Sequence, residues 1–309
     1  MLKLSQYSLV ASVVFVAAAL ICYIVVLAVG RSVRRPELVR VGAGDAELTD
    51  DTTKATSKAT AASTARPVAA RGLARYGTAC TQLALLFLTA SLVFRTIATG
   101  HGPFANQYEF AVAFGWGMLA AHVYFEWRYR VRMLALLVLP ISAALLLYAM
   151  SVGSTAVPLV PALQNNLLLT VHVAVAILAY GAFSVACAAG TLFLLQPEGG
   201  RRGFPKPALL DEIAYRAVVI AFPLMTMTII LGAVWADIAW GTYWSWDPKE
   251  TASLVTWLIY GAYLHARVVR GWRGQRAAWL LMLGFAAVLF TFFGNLFFGG
   301  LHSYSGVNK

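Results

Sequence analysis

Charge is scarce in this chain: Asp, Glu, Lys and Arg make up 12% of its 309 residues, against about 25% in a soluble domain. With 60% apolar residues and a mean hydropathy of +0.71, the main solvent of the chain is lipid. That composition excludes a disordered chain and a soluble nucleic-acid binder. Cysteine is scarce too. Cys22, Cys80 and Cys187 all sit in apolar runs, and no pair has C-x-x-C spacing. A disulfide scaffold is therefore excluded, and so is a thiol relay, zinc knuckle or haem-attachment motif of the chain's own. Acidic residues are fewer than basic ones, 13 against 24, for a formal net charge of +11. The positions of the basic residues assign that excess to membrane topology and not to nucleic acid.

What the sequence does have is apolar runs. A membrane helix needs about 20 mostly apolar residues, and eight stretches qualify: 9–29, 77–98, 108–127, 133–150, 166–195, 213–235, 251–268 and 277–298. The expected fold is all-α, a polytopic membrane helical bundle of about eight transmembrane helices. The first run exceeds a signal-peptide core of about 7–15 residues and lacks a small-residue cleavage site after it. It is read as a retained helix within residues 1–30. Twenty of the 24 basic residues fall in alternate loops, at 31–75, 128–132, 201–216 and 267–276. The positive-inside rule puts those loops in the cytoplasm and both termini outside. Residues 31–75 are rich in Ala, Thr and Ser with no hydrophobic period, so they are expected to be a disordered cytoplasmic linker ahead of a membrane domain at 76–309. The location expected is the cell membrane or a thylakoid-type membrane.

Chemistry gathers where the basic residues are missing. Between the sixth and seventh runs, residues 235–251 hold Trp235, Trp240, Trp244 and Trp246 with Tyr243 and three carboxylates, and 236–250 is expected to be an extracytoplasmic Trp-rich loop. A helical turn there would put Trp240 and Trp244 on one face. Two readings compete. Trp and Tyr favour the headgroup level, so the rings could form an interfacial belt. A belt, however, needs no Gly between its rings and no Asp-Pro-Lys-Glu run beside them. A large planar ligand with acidic side groups wants both a flat apolar shelf and a cation for its carboxylates, here Lys249. His172, near the outer end of the fifth run, and His302, beyond the eighth, share the side of this loop. Singly each reads as an interfacial polar residue; together across a shelf, two neutral imidazoles make a bis-His site for a haem iron. His265 lies near the inner end of the seventh run, where an ionisable group is a functional hypothesis by default or simply reaches the interface. His122 lies at similar depth on the third run, and His101 reads as a plain loop histidine.

The run Trp240-Gly-Thr-Tyr-Trp244-Ser-Trp246-Asp247-Pro-Lys249-Glu250-Thr251 resembles the tryptophan-rich "WWD" signature of haem-handling membrane proteins, and more narrowly the CcsA/ResC family (also named CcsB) of cytochrome c biogenesis. Val160-Pro161-Ala162-Leu163-Gln164 leading to Leu169-Thr170-Val171-His172, Tyr263-Leu264-His265-Ala266-Arg267, and Gly300-Leu301-His302-Ser303-Tyr304 agree with it. The resemblance covers roughly 80–305. It implies haem b as bound substrate or cofactor, with His172 and His302 as external iron ligands and His265 in an inner haem site. The opposite ligand of that inner site is expected from a CcsB/ResB-type membrane subunit, which a chain of this length is not expected to include; His122 is the alternative. Trp240, Trp244, Trp246 and Asp247 would hold the macrocycle or its loop.

The implied activity is that of a membrane subunit of a cytochrome c synthase (haem lyase) of system II. Haem would move outward from His265 to His172 and His302, for attachment to the C-x-x-C-H segment of apocytochrome c. Lacking C-x-x-C itself, the chain would depend indirectly on a thiol-reducing protein. Two rivals are a haem-delivery protein of another WWD type and a secondary transporter that binds no haem.

Overall fold

The computed structural model describes residues 1–32, 68–156, 159–160, 163–164, 166–197, 200, 203–294 and 297–302. Among the described residues the chain is all-α. Its helices are α1 (Leu2–Ser32), α2 (Val68–Thr99), α3 (Gln107–Tyr129), α4 (Ala135–Ser151, entered through a 3₁₀ turn at Arg132–Leu134), α5 (Asn166–Leu194), α6 (Pro207–Trp240), α7 (Pro248–Val269) and α8 (Gln275–Phe293). Each apolar run corresponds to one helix. Six of them (α1, α2, α4 with its 3₁₀ turn, α5, α6 and α8) are long and apolar enough to cross a membrane. The other two, α3 and α7, have 23 and 22 residues, or about 33 Å at 1.5 Å per residue, close to the hydrocarbon thickness. Their hydropathy is lowered by charges near their ends: Glu109, Glu126 and Arg128 in α3, Lys249, Glu250 and Arg267 in α7. The molecule is a multi-pass membrane helical bundle.

Both margins of the expected linker are helical. α1 continues to Ser32 and α2 begins at Val68, whereas 33–67 lie outside the described residues. The run Val-Ala-Ala-Arg-Gly-Leu-Ala-Arg after Pro67 is mostly strong helix formers, which accounts for the early start of α2.

Consecutive helices run antiparallel. Ser5 meets Ser91 while Tyr23 meets Thr78 across α1 and α2. Asp211 meets Arg267 while Thr226 meets Trp257 across α6 and α7. α5 is central, packed against α3, α6 and α8. Its approach to α3 depends on paired glycines, since a Cβ on Gly181 would lie 2.2 Å from the Gly117 carbonyl oxygen. Small residues of this kind let membrane helices close on one another.

Each end of the bundle is tied by buried polar groups. At one end Glu126 accepts from Tyr23 (3.0 Å) and Thr78 and lies 3.4 Å from Arg132, joining α1, α2 and α3. At the other, Arg95 donates to Glu109 (2.8 Å) and to the carbonyl of Ser154 (2.6 Å). Glu109 also accepts from the Ala105 N–H at 2.7 Å. This second network pins the loops beside the site described next.

Candidate functional site

α6 ends at Trp240, where Gly241 takes a left-handed backbone (φ 77°) and its N–H caps onto the Asp237 carbonyl. The helix thus takes the first five residues of the expected 236–250 loop. Only 241–247 are irregular, and Trp240 and Trp244 do not share a helical face. Asp247 then starts α7. Its carboxylate accepts from the Lys249 N–H (3.0 Å), and Glu250 reaches back to the Asp247 N–H (3.2 Å) in a capping box. Glu250 also accepts from the Ser245 N–H at 2.8 Å. Between them Trp246 is held at φ 60°, a region that bulky residues occupy only under strain.

The two outer histidines are fixed by different partners. Nδ1 of His172 (α5) lies 2.9 Å from the Thr228 carbonyl oxygen of α6. A carbonyl only accepts, so Nδ1 carries the proton and Nε2 the lone pair. The ring sits against Gly232, where any Cβ would come within 2.7 Å of its Cε1. Nδ1 of His302 lies 2.8 Å from Asp247 Oδ2, which sets the same tautomer. Burial pushes the His302 pKa below its ordinary 6.5 despite that carboxylate, so the ring is neutral at pH 7. For Asp247, burial pulls upward but the hydrogen bond and charge of His302 and the backbone N–H groups of Lys249 and Leu301 prevail, holding the carboxyl at about 2.

Trp235, only 1% exposed, lies against both imidazoles. Its ring is nearly parallel to that of His172 (centroids 6.4 Å, 13°) and 5.7 Å from that of His302. Trp240 stands edge-on to Trp235 (4.7 Å) and His302 (4.9 Å). Beside them opens a cavity of about 940 Å³, its mouth included, lined by His172, His302, Trp235, Trp244 and Lys249, with Phe114, Ile177 and Tyr180 among its apolar walls. Lys249 is the one Lys or Arg among the described lining residues. Its ammonium lies 4.9 Å from the centre of the Phe110 ring, a cation–π contact.

The structure brings together His172, His302, Trp244 and Lys249 at the cavity, with Asp247 behind His302 and Trp240 behind Trp235 and His302. It does not bring Trp246 there: that ring is 70% exposed and touches Trp244 edge-on at 5.7 Å. His265 lies on the exposed side of α7 near the end of that helix where Arg267 pairs with Asp211, and is not part of the cavity wall. His122 is fully buried, 3.2 Å from Glu126. His101 is a buried loop residue whose Nδ1 lies 2.8 Å from the Gly102 carbonyl. Sequence reading missed Trp235 as the ring touching both imidazoles. Its place at the end of the sixth apolar run was the available signal, because a Trp continuing a helix inward from an aromatic loop faces the bundle.

The sequence profile of the Cytochrome C assembly protein family matches residues 104–302. The chain belongs to that family. Among similar proteins is the cytochrome c biogenesis protein CcsA of Guillardia theta, 38% identical over 260 residues, covering 75% of this chain and 86% of that one. The CcsA of Gloeobacter violaceus is 37% identical over 294 residues (75% and 87%), and that of Pyropia yezoensis 33% over 281 (75% and 88%). The family match begins before α3 and ends on His302, so it takes in every described lining residue of the cavity, while α1 and α2 lie outside it. The donor set also suits haem, the cargo such a family implies. Two neutral imidazoles protonated on Nδ1 offer Nε2 to iron. The walls are mostly apolar and aromatic, as a macrocycle requires, with Lys249 as a counter-charge for a carboxylate and Glu250 as the acidic group among the described lining residues.

Proposed function

We propose that this chain is the haem-presenting membrane subunit of a c-type cytochrome biogenesis system (system II), holding haem b for covalent attachment to the C-x-x-C-H segment of apocytochrome c. The observation that carries this reading is the convergence of His172 and His302, each donating its Nδ1–H to an acceptor, on one aromatic-walled cavity with a lysine in its wall. In this reading the two imidazoles hold the iron, and six-coordination keeps it from oxidants. Trp235 and Trp244 bound the macrocycle, Lys249 meets a propionate, and the cavity shields the vinyl groups until two substrate thiols reach them. The chain orients and guards its cargo; thioether formation is chemistry of haem and substrate. The thiols are kept reduced by another protein.

The site end of the bundle faces outward, because the arginines collect at the other end. His265 serves an inner haem site from the exposed side of α7. That placement favours an opposite ligand from a CcsB/ResB-type subunit over His122, which is enclosed beside Glu126.

The test is spectroscopic. Protein purified from membranes should show a Soret band. His172→Gly and His302→Gly should each lose most of it, together with cytochrome c assembly, and added imidazole should restore part of both by filling the vacated position. A Gly variant with full haem content and full assembly would remove its histidine from the site.

A further inference from the structure

We propose that the two imidazoles have different duties: His172 is the fixed ligand, and His302 is the exchangeable one, held in place by Asp247 until a substrate histidine takes over. The inference rests on the haem-presenting reading above and names which side of the site opens.

His172 belongs to the central helix. Its ring fills the space left by Gly232, its Nδ1 donates to the Thr228 carbonyl, and Trp235 runs parallel to it. The ring is thus seated where α5 meets α6. His302 is carried instead by the segment beyond α8, where the Phe297 and Phe298 N–H groups donate to the Gly294 carbonyl. That segment includes Gly299, around which a Cβ would find open space, and Gly300, which approaches so closely that a Cβ would lie 2.2 Å from Asp247 Oδ1. The ring is held through side-chain contacts with Asp247 Oδ2, Trp240 and Trp235.

Two effects oppose each other. The Asp247 carboxylate makes His302 the more basic ligand, whereas the Nδ1–H of His172 meets only a neutral carbonyl. On bond strength alone His172 would leave first. Releasing His302, however, gives up contacts made from beyond the end of α8, the Leu301 N–H to Asp247 among them, while releasing His172 gives up a seat between two packed membrane helices. Exchange follows the lower barrier, so placement outside the helix–helix packing selects the ligand that leaves. The carboxylate sets how firmly the resting site is guarded. In the step itself the bond from iron to His302 Nε2 breaks and a bond to the incoming imidazole nitrogen forms. No electron is transferred, and His302 keeps its proton on Nδ1 and its lone pair on Nε2. Asp247 is thus a positioning residue that acts through His302.

The test uses the purified protein with its co-purified haem, reduced with dithionite and mixed with carbon monoxide, following the Soret shift. Asp247→Asn keeps a good N-cap for α7 but removes the carboxylate. Ligand exchange should be about ten-fold faster, in the range typical for loss of a partner that orients a metal ligand, and the reduction potential should rise. The rate is read per haem, so partial loss of haem does not obscure it. Gly232→Ala is the opposing variant: it crowds His172 and should lower haem content without speeding exchange on the haem that remains. An exchange rate in Asp247→Asn equal to the parent's overturns the proposal, as does faster exchange in Gly232→Ala than in Asp247→Asn. A parent protein with no Soret band fails differently, by removing the haem reading itself.

Discussion

A neutral imidazole offers metal the nitrogen that its hydrogen-bond partner leaves unprotonated, and at His172 and His302 that partner is an acceptor: a helix carbonyl in one case, a carboxylate in the other. The rings around them differ as sharply in what they do. Trp235 is buried and touches both imidazoles, whereas Trp246 is mostly exposed with a left-handed backbone. Trp235→Ala should therefore cost about 3–5 kcal/mol, as for large buried aromatics generally, and abolish most bound haem. Trp246→Gly should keep the haem and leave the thermal midpoint unchanged or slightly raised, because Gly adopts positive φ without strain. The ratio of Soret to 280 nm absorbance and thermal unfolding in detergent check both variants. Loss of haem in Trp246→Gly would return that ring to the site. The repeat of Trp through 235–246 advertises an aromatic surface in the sequence. Which rings face inward is decided by the end of α6 at Gly241, one turn later than a loop starting at 236 would place it.

At the scale of helices, hydropathy located all eight, because lipid as solvent leaves little choice of where apolar runs go. It did not locate their ends. α2 and α6 overrun the apolar runs through residues that carry charge or aromatic rings yet favour helix. Nor could it find the buried pair of Arg95 and Glu109, which lie on successive helices and meet only once the connecting loop 100–106 is folded. That pair holds Ser154 and Ala105 and precedes Phe110, the ring beneath Lys249. Leaving one buried charge without its partner costs about 3–5 kcal/mol. Arg95→Met should be destabilised by that order and should bind less haem, because the cavity wall at Phe110 and Lys249 loosens. Arg95→Met combined with Glu109→Leu should regain much of the stability, since two apolar groups replace a desolvated pair. Thermal midpoints and haem content decide; a double variant no more stable than the single one would show that the pair's value lies in its geometry and not in its charge balance.

For the molecule as a whole, the proposed function needs the site at the outward-facing end, and the asymmetry of arginine is the argument for that orientation. Inverting the bundle would place the clusters at 128–132 and 267–276 on the far side of the membrane, against the bias that sets topology in short loops. It would also turn the end of the bundle that holds the cavity toward the cytoplasm, where no secreted apocytochrome could reach His302. Ser245 and Arg270 are both exposed at opposite ends of α7, which makes them reporters for one helix. The native cysteines lie within α1, α2 and α5 and are partly buried, so their background labelling is low. In intact cells a membrane-impermeant maleimide should label Ser245→Cys, and should label Arg270→Cys only after lysis. Because the two positions bracket a single span, the reverse pattern would invert the whole bundle. It would place His172 and His302 inside and His265 outside, and a substrate histidine arriving from outside could then meet only the exposed face of α7.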